Sequence, residues 1–452
     1  MLGFVQNFFA PKGNPIGVDY GSDALRLAQV QLVGGEHRLV AAATADVPAH
    51  IRHDVGARLN FFVDTTRDLL SQGKFRGRQA VLGLPAANMF IQHLRMPKMD
   101  ADGMKKALPW ELRGKLPIDP SHALLRHIVA GDVYEGQEAK CEVIVMAAAK
   151  EMVNQLLAAA SKARLDVVGM NTEPKALVDC FTQIYRRKSD EGVISCYVDI
   201  GAVATRATIA CGTEILFART IPVGGDHFSR AAAQGLSIKL EEAKILRVKI
   251  AQMPPPAEEA KEKPPVTVRG VRPDASIENS FALLSAGLPP ERRTPAVTDE
   301  QPEETAAAPA PAAAPAAAPA PSPADDLARQ SKRVEQACAE PLRRLVEELE
   351  LCRRYYEMTF PQRPLERLIF VGGEARQKGL CQQIARQMGL AAQVGDPLVR
   401  VGKNSDVGVE AGIDRRQPQP GWAVAIGLSM GPAAGAGNAS AAEQHAAAAS
   451  TK

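Results

Sequence analysis

One short unit occurs twice in this chain, as "VDYG" at Val18–Gly21 and as "VDIG" at Val198–Gly201. Each copy ends an apolar run, "IGVDY" or "ISCYVDI", and each is followed by alternating residues, "ALRLAQV" or "ATRATIA". Alternation with period two predicts half-buried strands, and the Asp-x-Gly between them predicts a tight bend. A residue without Cβ lets the turn reach positive φ, so that backbone N–H groups can approach a polyanion. An acid at the same bend would repel that anion unless Mg²⁺ lay between them, held directly or through water. Asp19 and Asp199 are therefore candidate magnesium-side carboxylates, and Gly21, Ser22 and Gly201 candidate phosphate-turn residues. A single copy reads more readily as an ordinary hairpin turn. Two copies in the same strand context carry the argument.

A third element points the same way. In "LIFVGGEARQKGL" a strand ends at Gly372-Gly373 and opens toward a helix, whose N-terminal dipole favours an anionic group. Gly372 and Gly373 are candidate ligand-lining residues; the alternative is a helix entry with no ligand. The chain lacks the Gly-Lys-Ser/Thr and Gly-x-Gly-x-x-Gly patterns of the common nucleotide loops. Glu173, ahead of Pro174 in "TEPKALVDCF", reads as a first-turn acid favouring a helix dipole.

Between these elements the chain divides by pattern. Strands "PIGVDYG", "ALRLAQVQLV", "HRLVAAATADV" and "QAVLGLP", with the helix "ARLNFFVDTTRDLLSQ", predict an α/β unit. A compact α+β insert is expected over 96–171, and helical spacing recurs over 172–190. Strands and helices of a second unit follow over 191–252 and 325–430. Between its two pieces, 253–324 contains "AAAPAPAAAPAAAPAPSPA", too rich in proline and too poor in large apolar side chains to form a core. It is expected to be a disordered tether, as is the Ala/Gly-rich tail 431–452. Pro341 either kinks a long helix around "EPLRRLVEELELCRRYYEMTF" or marks its start.

Composition narrows the function classes. A net charge of +3 and the lack of any basic–aromatic stripe give no case for nucleic acid. Seven scattered cysteines, with no Cys-x-x-Cys pair, fit a reducing compartment and no zinc site. No apolar run is long enough to span a membrane. The opening "MLGFVQNFFAPKGN" does not read as a signal peptide; it is either an arm packed on the body or a small membrane-touching face. Trp110 is either a partner anchor or part of the insert core.

The three glycine-bearing elements, in this order, resemble the two phosphate motifs and the adenosine motif of the actin-like ATPase superfamily. "MNTEPKALVDCF" stands where that family has a connecting helix. "MPKMDADGMKKALPWELRGKLPID", "FARTIPVGGDHFSRAAAQGLSIKLEEAKILRVK", "VGDPLVRV" and "WAVAIGLSM" are similar to its FtsA/PilM branch. The resemblance implies two duplicated lobes closing on ATP and Mg²⁺, with an inserted subdomain. It places Gly372 and Gly373 on the adenosine side, Glu242 and Lys244 near the ribose, and Glu173 where active relatives position water. Lys244 and Arg247 depart from the branch's usual Glu and Lys, which bears on those ribose contacts. It further implies a cytoplasmic scaffold at the inner face of the inner membrane. Its partners would be the tail of a PilN-like protein, other alignment-complex proteins and, in a homo-oligomer, further copies of this chain, with only indirect membrane contact. Pilus assembly and type II secretion are the implied systems; a division filament of the FtsA kind and a sugar-kinase-type phosphotransferase are the alternatives.

Overall fold

The computed structural model describes residues 14–85, 88–185, 188–253, 283–284, 323–403 and 412–431. The opening arm and nearly all of the proline-rich stretch and tail lie outside these residues. Along the chain come β1 (Ile16–Tyr20), β2 (Ala24–Val33), β3 (Glu36–Asp46), α1 (Val55–Gln72), β4 (Gln79–Leu84) and β5 (Met89–Pro97). Then follow α2 (Ala101–Glu111), β6 (Ala123–Glu135), β7 (Glu138–Ala149), α3 (Lys150–Lys162), β8 (Asp166–Thr172) and α4 (Glu173–Thr182). The second half holds β9 (Ile194–Ile200), β10 (Thr205–Cys211), β11 (Glu214–Ile221), α5 (Gly225–Leu236), α6 (Leu240–Ala251), β12 (Leu283–Leu284) and α7 (Pro323–Ala337). It ends with α8 (Ala339–Thr359), β13 (Arg367–Val371), α9 (Lys378–Met388), β14 (Ala391–Val394), β15 (Gly402–Lys403) and α10 (Ala423–Met430).

Two sheets share one plan. The first runs β15-β3-β2-β1-β4-β8 and the second β11-β10-β9-β13-β14-β12. In each, three antiparallel strands joined by hairpins are extended by two parallel ones: β1 with β4 and β8, β9 with β13 and β14. Both VD-x-G units therefore occupy the same place, the end of a central strand buried on both faces, which explains their unbroken apolar runs.

Helices α1 and α3 cover one face of the first sheet. Phe62, Leu70, Leu156 and Ala160 pack there on Ile16, Val18 and Leu82, and each large apolar side chain so buried stabilises the fold by about 1.5–3 kcal/mol. Asp54 starts α1 by accepting from Ala57 N. Helices α4 and α10 fill the space between the two sheets. They touch closely, since a Cβ on Gly427 would lie 1.9 Å from the Ala176 carbonyl. Pro341 sits in the first turn of α8, just after the break at Cys338, so it marks a helix start.

A third sheet, β5-β7-β6, is covered by α2 through Met104, Leu108 and Leu112. The expected boundaries of the insert need correction at both ends. Strand β5 pairs with β7, so this sheet begins at Met89, ahead of 96. Strand β8 pairs with β4, returning to the first sheet before 171. No turn signal separates "QAVLGLP" from "MFIQHLRMP" strongly enough to reveal a change of sheet. Trp110 is 67% exposed under the Arg113 guanidinium, which rules out the core-packing reading. This third sheet leans on the second lobe: buried Glu142 on β7 accepts from Tyr355 on α8 at 2.7 Å and bonds His93 on β5 at 2.9 Å, and the His93 ring stacks on Phe217 of β11.

Candidate functional site

The hairpins β1–β2 and β9–β10 bring their turns to opposite walls of one cleft, with about 770 Å³ of empty space partly open to solvent. Asp19, Gly21, Ser22, Glu173, Asp199, Gly201, Gly372 and Gly373 all line it. Residues spread over more than three hundred positions of sequence therefore converge. Glu242 and Lys244 are not among the lining residues: Glu242 accepts from Lys239 N at the start of α6, and Lys244 pairs with Asp226 at 3.5 Å.

The two turns are built alike. Gly21 N donates to Ala24 O at 3.0 Å and Gly201 N to Ala204 O at 3.1 Å. The Gly201 turn is tied to the start of α5, because Gly225 N donates to Gly201 O and Asp226 N to Ala202 O. Gly372 has φ +86°, and a Cβ there would stand 2.3 Å from Asp199 Oδ1. Only glycine lets β13 end against that carboxylate.

Sequence reading missed the cations. Arg26 stands opposite Asp19 in the β1–β2 register, and Arg206 opposite Asp199 in the β9–β10 register. Both arginines line the cleft, as does Asp23. Arg206 Nη2 lies 3.0 Å from Asp199 Oδ2, and its Nε lies 2.8 Å from Glu173 Oε2 at the start of α4. Burial works against the Arg206 charge, but Asp199 and Glu173 hold its pKa above the ordinary arginine value. Arg26 stands farther from its acid, 4.0 Å from Asp19 Oδ2. Burial pushes the Asp19 carboxyl up to about 6; Arg26 and Arg206 oppose the rise, and Asp199 and Asp23 add to it. The repeated signal was present in the sequence: an arginine follows each of the two aspartates at the same interval.

Beyond Gly372-Gly373, Arg247 of α6 is buried against Glu374 at 2.5 Å and donates to Gly225 O and Ser229 Oγ. Arg376 donates to Gln419 at 3.0 Å, and burial and then Arg26 draw its pKa below the ordinary value. Asp226 at the start of α5 also pairs with Arg52 of the first lobe at 3.6 Å.

These residues fit a polyphosphate, which would find two glycine turns and two guanidinium groups. Asp19 fits the metal side, since a buried carboxyl with a raised pKa gains from a nearby cation. Among the described residues no group of three or more His, Cys, Asp or Glu could hold a metal alone. Magnesium needs no such cage, for it binds through one or two carboxylates, water and substrate phosphates. Asp199 and Glu173 already share a cation, Arg206.

A family model described as Type IV pilus assembly protein PilM matches residues 17–261, more than half of the chain, and one described as Cell division protein FtsA matches 196–427. Among solved structures, the "PilM-PilN type IV pilus biogenesis complex" is 19% identical with a TM-score of 0.64, covering 93% of this chain and 98% of that one. The ethanolamine utilization protein EutJ from Carboxydothermus hydrogenoformans is 12% identical with a TM-score of 0.44, covering 93% and 90%. No curated protein matches the sequence. The duplicated α/β architecture is that expected of the actin-like ATPases.

Proposed function

Since the chain belongs to the PilM family of type IV pilus assembly proteins, we propose that it is an ATP-binding scaffold whose lobes close on nucleotide and whose inserted subdomain receives a partner. The observation that carries this reading is the single cleft lined from both lobes by the two duplicated turns. Gly21, Ser22 and Gly201 approach the phosphates, and Gly372 and Gly373 approach the adenosine. Asp19 and, through its pair with Arg206, Asp199 face the metal side, where bound Mg²⁺ would screen carboxylate from phosphate. Glu173, engaged by Arg206, serves closure rather than rapid turnover.

The partner in this reading is the cytoplasmic tail of a PilN-like inner-membrane protein, bound beside the inserted β5-β7-β6 subdomain. The shared fold with the PilM–PilN complex supports it. No helix among the described residues is long and apolar enough to cross a membrane, which is consistent with a scaffold recruited by such a tail. Closure linked to nucleotide requires different affinities of the open and closed states. ATP with Mg²⁺ is expected to protect the full chain from limited proteolysis and to tighten binding of a tail peptide. Equal peptide affinity with and without nucleotide defeats the coupling.

The FtsA match over the second lobe favours one other reading, a filament former of the division type. Pelleting of ATP-loaded protein into filaments visible by electron microscopy would favour it.

A further inference from the structure

The cleft carries its own cation where the nucleotide–metal arrangement needs one. Four carboxylates line it, Asp19, Asp23, Glu173 and Asp199. Glu173 belongs to α4 at the edge of the first lobe and Asp199 to the second, and Arg206 joins them at 2.8 and 3.0 Å. Its guanidinium lies directly beneath the second phosphate turn, since a Cβ on Gly201 would come 3.2 Å from Arg206 Nη2. Among the described residues Arg206 Nη1 makes no hydrogen bond. A planar fork with N–H donors to spare at a phosphate turn matches phosphate oxygens better than a point charge does.

We infer that Arg206 is the site's resident cation, joining the facing carboxylates and donating to the phosphates of a nucleoside triphosphate, so that nucleotide binding depends less on Mg²⁺ than it would without this arginine. The inference rests on the nucleotide reading above and deepens it. In a site of carboxylates alone, a divalent ion must neutralise both acid and phosphate before they can approach. Here the guanidinium permanently offsets one of the two acid charges of Asp199 and Glu173, so less repulsion is left for a metal to relieve. Asp19, with Arg26 at 4.0 Å, and Asp23 are left to gain from added metal.

The test is equilibrium binding of a fluorescent ATP analogue to the full chain in excess Mg²⁺ and in EDTA. Wild-type affinity should change less than about threefold, and that of Arg206→Gln should fall at least about tenfold in EDTA relative to its own value in Mg²⁺. A second measurement uses Mg²⁺ alone. Without nucleotide, Mg²⁺ should raise the melting temperature of Arg206→Gln, whose Asp199 and Glu173 carboxylates regain a cation, by more than it raises that of the wild type; equal rises overturn the inference. If Arg206→Gln does not fold, the wild-type comparison decides by itself. Wild-type binding that strictly requires Mg²⁺ overturns the inference and leaves nucleotide binding standing. Absence of binding in both buffers overturns the nucleotide reading and this inference with it.

Discussion

The Gly21 and Gly201 hairpins share strand register, turn hydrogen bond and a cross-strand Asp–Arg pair, yet Arg26 keeps 4.0 Å from Asp19 whereas Arg206 closes to 3.0 Å on Asp199 and also reaches Glu173. One duplicated plan has thus produced a loose pair on one wall of the cleft and a tight triad on the other. The loose side keeps an acid whose charge is poorly compensated, and burial leaves Asp19 at about 6. The tight side is settled before any ligand arrives. Geometry alone, repeated faithfully, does not fix electrostatics. The extra acid at the head of α4 does.

The most severe way to break the comparison is to remove each arginine in turn. Arg206→Ala leaves two buried carboxylates without their partner and should destabilise the full chain by about 3–5 kcal/mol in chemical denaturation. Arg26→Ala should lose about 1 kcal/mol or less, as weakly coupled pairs do. Equal losses would mean that the two sides are energetically alike.

Gly372 tests the approach to the tight side. Alanine there meets positive φ and the Asp199 carboxylate, so Gly372→Ala should lose on the order of 2–3 kcal/mol. Gly373→Ala, whose new Cβ would find its nearest neighbour at 3.8 Å, should stay within about 0.5 kcal/mol. Matching losses at both positions would remove the close approach from the account.

The loose side should respond to pH. Because the folded value of Asp19 lies above 3.8, protonation favours the folded state. That contribution is complete below about pH 4 and is lost as pH rises through about 6. Asp19→Asn mimics the protonated form, so in metal-free buffer it should be more stable than wild type by about 2–3 kcal/mol at pH 7. The advantage should vanish below pH 4. Melting temperatures across this range would check it, and a constant difference would contradict the burial argument. The smallest effect belongs to the Arg52–Asp226 pair between the lobes, where Arg52→Ala should lower stability by about 0.5 kcal/mol in the same assay.

Much of the site was legible because the signals were backbone signals. Period-two alternation and Asp-x-Gly located β1, β2, β9 and β10, and the glycine pair located the end of β13. The arginines escaped because each reads, alone, as the polar member of an alternating strand. Only the register shows which carboxylate it faces. Lys244 escaped for the opposite reason. Its place on α6 is visible in sequence, but its pairing with Asp226 depends on how α5 and α6 meet. Strands β5 and β8 were passed over because each abuts another element without a clear break, and hydrogen-bond partners, not composition, assign them to a sheet.

Helices α6 and α7 flank a long stretch of sequence, and their mutual contact has a consequence for how the chain can vary. Ala243 and Leu246 of α6 pack with Val334 of α7 in one small apolar cluster, so the two pieces of the second lobe meet there by packing as well as by chain connection. A cut in the chain between these two helices would leave those pieces joined by side-chain contact.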